Sequence, residues 1–158
     1  MAIDPRTVLV VLAHLVLAGI GVRLLAIDAR THRLPNRIVL PTLAGALVLV
    51  GVDAIATADR AALLRATAGM LVLACFYALL RLVSRGGVGG GDVKLAALVG
   101  LVLAWHGWPQ LLVGAAAAFV LGALYALVLM AMRRARGSTR IAFGPWMIMG
   151  AVLGLAIG

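Results

Sequence analysis

Six apolar segments, joined by short polar connections, constrain the fold of this chain more than any other feature of its sequence. They cover residues 7–27, 38–57, 61–83, 93–105, 111–132 and 141–157. A helix of about 20 apolar residues crosses the hydrocarbon core of a bilayer and satisfies its own backbone hydrogen bonds there. The pattern predicts an all-α integral membrane protein, a bundle of about six transmembrane helices that forms one membrane-embedded domain over residues 1–158.

The overall composition supports this prediction. Apolar residue types make up 65% of the chain and charged types 12%. A soluble domain has about 45–50% apolar and about 25% charged residues. The difference excludes an ordinary soluble globule, a disordered tail and a small module held together by disulfides.

The chain offers few metal ligands. The one cysteine, Cys75, cannot form an internal disulfide or a cysteine-rich zinc site, and we interpret it as a packing residue. The histidines His14, His32 and His106 have no mutual ligand spacing, and we interpret them as interfacial or packed residues. The sequence therefore predicts no metal site.

The first and fourth segments differ from an ordinary span. The first is too long for a signal peptide and lacks a small-residue cleavage site, so we predict an uncleaved helix. The uninterrupted part of the fourth, residues 95–105, has about half the length of a normal span. We predict a short or tilted helix there, followed by a tight interfacial turn at Gly107, Trp108 and Pro109.

The positive charges predict how the helices are oriented. The formal net charge is +9, and eleven of the fourteen basic residues lie in or beside three alternating connections. These are Arg23, Arg30, Arg33, Arg37, Arg81, Arg85, Lys94, Arg133, Arg134, Arg136 and Arg140. The positive-inside rule places them in the cytoplasm and both termini outside a plasma (inner) membrane. Because the charges alternate with apolar segments, we expect membrane lipid as a partner and no nucleic acid.

Glycine and alanine recur at four-residue spacing in the last three segments. The sets are Ala96, Gly100 and Ala104, then Gly114, Ala118, Gly122 and Ala126, and finally Gly150, Gly154 and Gly158. Such faces let helix backbones approach closely in lipid. We predict that they pack within the bundle, with dimerisation as the alternative.

The acidic residues narrow the possible chemistry. All five are aspartate, and the lack of glutamate in the sequence excludes an H-E-x-x-H metalloprotease site. Asp4, Asp53 and Asp59 fall on the predicted outer side. Asp28 ends the first segment and Asp92 opens the fourth, so both lie at the cytoplasmic boundary, where ionisable residues are candidates for function. Taken singly, Asp92 could be an N-cap and Asp28 an interfacial loop residue.

Two carboxyl groups at one membrane face can hydrolyse a peptide. Carboxyls about 3 Å apart do not both ionise easily and share a proton. One then acts as the base on a water molecule while the protonated partner polarises the substrate carbonyl. This route needs no cofactor, and we expect none. Because Asp28 lies near a helix C-terminus and Asp92 near a helix N-terminus, we predict that Asp28 more often holds the shared proton.

The glycine-rich stretch before Asp92 is not a phosphate-binding loop. Residues 86–91 contain five glycines, but Asp92 follows them rather than Lys and Ser or Thr. Glycines allow the close approach of another chain, such as an extended substrate beside Asp92. The alternative is a flexible linker.

Three motifs resemble those of the type IV prepilin peptidase family. Residues 89–95, G-G-G-D-V-K-L, are similar to its second active-site motif and contain the G-x-G-D signature of intramembrane aspartic proteases. Residues 28–36, D-A-R-T-H-R-L-P-N, resemble its first motif, and residues 143–145, F-G-P, resemble a C-terminal pattern. The resemblance covers essentially the whole chain.

The resemblance implies a membrane aspartic endopeptidase in which Asp28 and Asp92 are catalytic. Its substrates would be prepilins or pseudopilins, which have a short basic leader and then an apolar helix. Cleavage would follow a glycine at the cytoplasmic boundary. Larger members carry an insert with paired cysteines and add N-methylation of the trimmed pilin. This chain has one cysteine and resembles the compact peptidases of Flp/Tad-type pilus systems, so N-methyltransferase activity is not expected.

Further residues of these motifs are predicted to support the site, namely Gly89, Gly91, Lys94, Thr31, Pro35 and Asn36. Thr31 can hydrogen-bond near Asp28, and Pro35 with Asn36 is expected to set the turn into the second helix. Lys94 lies about 200° round the helix from Asp92 and should not face it directly. It is expected to contact lipid headgroups or substrate, with simple snorkelling as the alternative.

The alternative function is a small proton- or cation-coupled transporter, or a membrane subunit of a pilus or secretion assembly. Asp28 and Asp92 would then carry protons or bind a cation rather than hydrolyse a peptide. Inverted repeats would favour the transporter, and the sequence shows none by eye.

Overall fold

The computed structural model describes residues 4–31, 33–84, 87–133 and 142–158. Within these ranges the chain forms a bundle of six α-helices. They are α1 (Pro5–Thr31), α2 (Asn36–Thr57), α3 (Arg60–Val83), α4 (Gly90–His106), α5 (Trp108–Ala131) and α6 (Gly144–Ile157). The prediction of an all-α bundle is confirmed, and each helix matches one apolar segment of the sequence.

Four of the described helices, α1, α2, α3 and α5, are long and apolar enough to cross a membrane. Their most apolar windows have mean hydropathies between 1.9 and 2.4. The helices α4 and α6 are shorter, with 17 and 14 residues. The predicted short fourth helix is therefore confirmed. The connection after it is shorter than the predicted three-residue turn. Gly107 alone separates α4 from α5, and Trp108 and Pro109 belong to the first turn of α5.

The short helix α4 lies in the centre of the bundle. Ten of its residues are buried, including all seven from Leu95 to Leu101, and it contacts α2, α3, α5 and α6. The helix α1 is peripheral, since its backbone packs only against α2 and α6 and it buries only Leu24 and Asp28 among the described residues. Asp92 therefore belongs to the most enclosed helix, and Asp28 to a helix at the edge of the bundle.

The central helix packs most extensively against α3, through small residues on both sides. A Cβ placed on Gly100 would collide with the carbonyl oxygen of Gly69, and one placed on Gly69 would collide with the Cβ of Ala104. The two backbones are thus in direct contact, as the small-residue spacing predicts.

This contact predicts a stability effect for Gly100→Ala. The added methyl has no free space, because the Gly69 carbonyl belongs to the backbone and cannot rotate away. We expect a loss of about 1–3 kcal/mol in the free energy of unfolding, typical of overpacking. Thermal unfolding in detergent, followed by circular dichroism, measures it. Gly45→Ala on α2 is the control, because its Cβ would meet nothing within 4 Å; equal midpoints for the two variants would contradict the prediction.

The last two helices pack in the same way. A Cβ on Gly150 would lie 2.5 Å from the carbonyl oxygen of Gly114 and 2.8 Å from the Cβ of Ala118. A Cβ on Gly154 would lie 2.6 Å from the carbonyl oxygen of Gln110. The predicted small faces of α5 and α6 therefore pack against each other within the chain. Cys75, in contrast, is exposed on α3, so its interpretation as a packing residue is wrong.

The two ends of the bundle separate the charges as the topology prediction requires. One end carries Asp4, Arg6, Asp53, Asp59, Arg60 and Arg65. The other carries Asp28, Arg30, Arg33, Arg37, Arg81, Asp92 and Lys94. The predicted positions of His32, Arg85, Arg134, Arg136, Arg140 and Ile141 lie outside the described residues. Which end faces the cytoplasm stays a prediction.

Candidate active site

Asp28 lies in the last turn of α1, with its side chain turned into the bundle and only 3% exposed. The helix ends three residues later. The Thr31 hydroxyl there donates to the carbonyl oxygens of Ile27, at 2.8 Å, and Arg33, at 3.3 Å. Thr31 therefore closes the end of the helix that carries Asp28.

The start of α6 lies directly against Asp28. The backbone N–H of Gly144, the first residue of α6, donates to Oδ2 of Asp28 at 3.1 Å. A Cβ on Gly144 would lie 2.5 Å from the same oxygen, so only glycine leaves room for the carboxyl group. The motif at residues 143–145 therefore meets the first motif in space, although 116 positions separate the two bonded residues.

Asp92 lies in the first turn of α4, where it is half-buried. The backbone N–H of Gly89 donates to its Oδ2 at 3.0 Å, and its own N–H donates to the Gly89 carbonyl oxygen at 3.2 Å. These reciprocal bonds orient the side chain at the start of the helix. Gly89 is the N-cap residue, so Asp92 stabilises the helix start from the first turn and is not itself the N-cap.

Leu34, from the connection between α1 and α2, brings the two sites together. A Cβ on Gly91 would lie 2.7 Å from the Cβ of Leu34, and a Cβ on Gly144 would lie 3.5 Å from its Cδ1. Leu34 is therefore packed between the starts of α4 and α6. In this arrangement Asp28, bonded to Gly144, and Asp92, next to Gly91, lie at the same end of the bundle on either side of Leu34. That the two carboxyl groups act as a pair stays a prediction.

The remaining residues of the two motifs hold this end of the bundle together. Pro35 is the N-cap residue of α2, and its carbonyl oxygen accepts from the N–H groups of Ile38 and Val39. Asn36 begins the helix, and its Oδ1 accepts from Lys94 Nζ at 2.8 Å. Lys94 therefore links the start of α4 to the start of α2.

Several residues near the pair were not predicted from the sequence. The ring of Tyr77, on α3, is buried beside Phe143, with centroids 5.9 Å apart. Arg81, one turn further along α3, lies against the start of α4, where its Nη1 is 2.8 Å from a Cβ built on Gly90. Tyr77 and Arg81 are four residues apart and therefore lie on the same face of α3. This spacing does not reveal which helix packs against that face.

The residues that the structure describes contain no group of three or more His, Cys, Asp or Glu side chains placed to hold a metal ion. At this end of the bundle, Asp28 and Asp92 each accept a hydrogen bond from a backbone N–H at the start of a helix.

A comparison with known proteins assigns the chain to a family. A model of the type IV leader peptidase family matches residues 9–127, which include both Asp28 and Asp92. The chain belongs to this family. Membership confirms the resemblance expected from the motifs. Together with the four helices of spanning length, it makes the chain a multi-pass membrane protein.

Curated members of the family have similar sequences along most of this chain. A prepilin leader peptidase/N-methyltransferase of Dickeya chrysanthemi is 36% identical over 150 residues, which are 94% of this chain and 52% of that protein. One of Stutzerimonas stutzeri is 35% identical, with coverages of 84% and 45%. One of Escherichia coli (strain K12) is 36% identical over 155 residues, with coverages of 98% and 67%. The chain thus spans about half the length of the first two of these curated relatives. No solved structure matches it.

Proposed function

We propose that this chain is a membrane aspartic endopeptidase that removes the short basic leader from prepilins or pseudopilins. The observation that carries the proposal is the position of Asp28 and Asp92 at the same end of the bundle, where Leu34 packs against the glycines next to both. Family membership and relatives named as prepilin leader peptidases support it.

In the proposed mechanism, the two aspartates share one proton. The ionised carboxylate removes a proton from a water molecule, whose oxygen attacks the scissile carbonyl carbon. The protonated carboxyl donates a hydrogen bond to the carbonyl oxygen, on which negative charge develops. Collapse of the tetrahedral intermediate breaks the C–N bond, and a carboxyl proton passes to the leaving amine. The N–H groups of Gly89 and Gly144 hold the two carboxyls in place throughout.

The membrane orientation is part of the proposal. We place the end with Asp28 and Asp92 at the cytoplasmic face of the plasma (inner) membrane and both termini outside. The support is the grouping of Arg30, Arg33, Arg37, Arg81 and Lys94 at that end. A basic leader followed by an apolar helix would then present its junction at the depth of the two aspartates.

The test is cleavage of a defined substrate by the purified chain in detergent micelles. The substrate is a peptide with a short basic leader that ends in glycine, followed by an apolar segment. We expect a single cut after the glycine, seen by mass spectrometry, which persists in a chelator because the proposed chemistry uses carboxyls and water. The double variant Asp28→Asn/Asp92→Asn is the control. An intact substrate with the wild-type chain, or an equal cut with the double variant, would reject the proposal.

The same mass spectra test for methyl transfer. The relatives in the comparison carry both activities in their names, whereas the sequence motifs predict leader cleavage alone. With S-adenosylmethionine as the added methyl donor, we expect the trimmed product to keep the mass of an unmodified N-terminus.

A further inference from the structure

A polar cavity lies at the end of the bundle opposite to Asp28 and Asp92. Its volume is about 380 Å³. Its lining includes Arg6, Asp53, Asp59, Arg65, Trp105 and His106. The start of α1, the end of α2, the start of α3 and the end of α4 meet there. The proposed peptidase chemistry uses none of these residues.

The two guanidinium groups in this cavity already have partners. Arg6 donates to both carboxylate oxygens of Asp53, at 2.7 and 3.1 Å. Arg65 donates to the carbonyl oxygens of Ala104 and Trp105, at 2.8 and 2.7 Å, at the end of α4. The second carboxylate, Asp59, accepts from the Ala62 N–H at the start of α3. The lining charges therefore balance, and the cavity is not built for an anion.

Two histidines beside the cavity, His14 and His106, are hydrogen-bonded to each other through their ring nitrogens. Nε2 of His14, on α1, lies 2.9 Å from Nε2 of His106, the last residue of α4. Nδ1 of His14 lies 2.7 Å from the Val10 carbonyl oxygen. Because a carbonyl oxygen only accepts, Nδ1 carries a hydrogen. In the neutral ring, the Nε2 lone pair of His14 therefore points at His106, whose Nε2 supplies the proton between them.

Aromatic contacts hold both rings in this position. His14 stacks on Trp105, with ring centroids 5.7 Å apart and planes 16° from parallel. His106 lies edge-on to His14 at 5.0 Å and contacts Trp105 at 5.3 Å. The two Nε2 atoms thus lie side by side between two helices, next to the cavity.

We propose that His14 and His106 bind a divalent transition-metal ion of the zinc type through their Nε2 atoms. Zinc–nitrogen bonds are about 2.0–2.1 Å long, which places two ligands of one tetrahedral ion about 3.3 Å apart. The rings would separate by a few tenths of an ångström from their present 2.9 Å. As the ion enters, His106 changes tautomer through solvent: Nε2 releases its proton and Nδ1 takes one up, so the ring stays neutral and Nε2 offers a lone pair. Water from the cavity completes the coordination.

The surroundings of His14 match those of metal-binding histidines. Such rings donate their second N–H to a backbone carbonyl or carboxylate, which fixes the tautomer that binds metal. His14 makes this bond to Val10. The bound ion would join α1 to α4 at the far end from the aspartates, independently of the proposed peptidase function.

Isothermal titration of the full chain with zinc chloride, in detergent at neutral pH, tests the proposal. We expect one zinc ion per chain, no comparable binding of magnesium, which prefers oxygen ligands, and at least about tenfold weaker zinc binding by His14→Gln and by His106→Gln. Glutamine can still hydrogen-bond the remaining imidazole and so keeps the link between the helices.

His32→Gln is the matched control, because it removes the third histidine of the sequence and leaves the proposed pair intact. It should bind zinc as the wild type does. The proposal is overturned if the wild type does not bind zinc, if His14→Gln and His106→Gln bind it as tightly, or if His32→Gln weakens binding as much as they do.

Discussion

Asparagine in place of either Asp28 or Asp92 is expected to abolish leader cleavage. Asparagine keeps the size of the side chain and can still accept the bond from Gly144 or Gly89. It cannot remove a proton from water or share one with the other carboxyl. General acid–base catalysis contributes about 10²–10⁴-fold to a rate, and each variant should lose at least that much. Initial rates with the leader peptide, measured for each purified variant, provide the test.

The other aspartates and the double variant make this prediction specific. Asp4→Asn alters an exposed carboxyl at the opposite end of the bundle, which accepts from the Arg6 N–H, and it should cleave at the wild-type rate. Because the two aspartates act as one unit, the double variant should be about as inactive as either single variant. Full processing by Asp28→Asn or by Asp92→Asn would refute the assignment of the pair.

Gly144→Ala is expected to cost almost as much activity without touching a carboxyl group. The new Cβ would lie 2.5 Å from Oδ2 of Asp28. The carboxyl group therefore has to move away from the position in which the Gly144 N–H now holds it by a hydrogen bond. A displacement of about 1 Å in a catalytic group can reduce a rate about 10²-fold. Rates with the leader peptide should fall by a factor of this order, mainly in kcat.

The matched control for this variant is Gly19→Ala on α1, the helix that carries Asp28, because a Cβ there meets nothing within 4 Å. It should keep both activity and stability. The thermal midpoint of Gly144→Ala should fall less than that of Gly100→Ala, since its Cβ meets a side-chain carboxyl rather than a backbone carbonyl. A Gly144→Ala enzyme with the wild-type kcat would contradict the role given to this glycine.

The helices of this fold could be predicted from the sequence because each apolar segment satisfies its own backbone hydrogen bonds. The predicted limits therefore agree with the observed helices to within a few residues. The central place of α4 was less predictable. Its low share of polar residues fits burial in protein as well as exposure to lipid, so only the contacts of residues such as Leu98 and Leu101 reveal that it is enclosed.

Contacts between distant residues could not be predicted, because a single sequence shows spacing along the chain and not proximity in space. Gly144 and Asp28 are 116 positions apart, and His14 and His106 are 92 apart. The prediction that Asp28 more often holds the shared proton rested on its place near the end of α1. In the structure, the Asp28 carboxyl also accepts a bond from the first N–H of α6, as the Asp92 carboxyl does from the N–H at the start of α4. Both carboxyls therefore lie at a helix N-terminus, and the helix dipole no longer favours one of them as the proton holder.

The contrast between α1 and α4 sets two different limits on amino-acid replacement. At most positions of α4, a new side chain has to fit a space closed by four other helices, so its volume decides whether it is tolerated. Most of α1 faces outward, and there any apolar side chain of any shape suits the surrounding lipid. Mutational tolerance should therefore follow side-chain volume around Asp92 and hydropathy alone along much of the helix that carries Asp28.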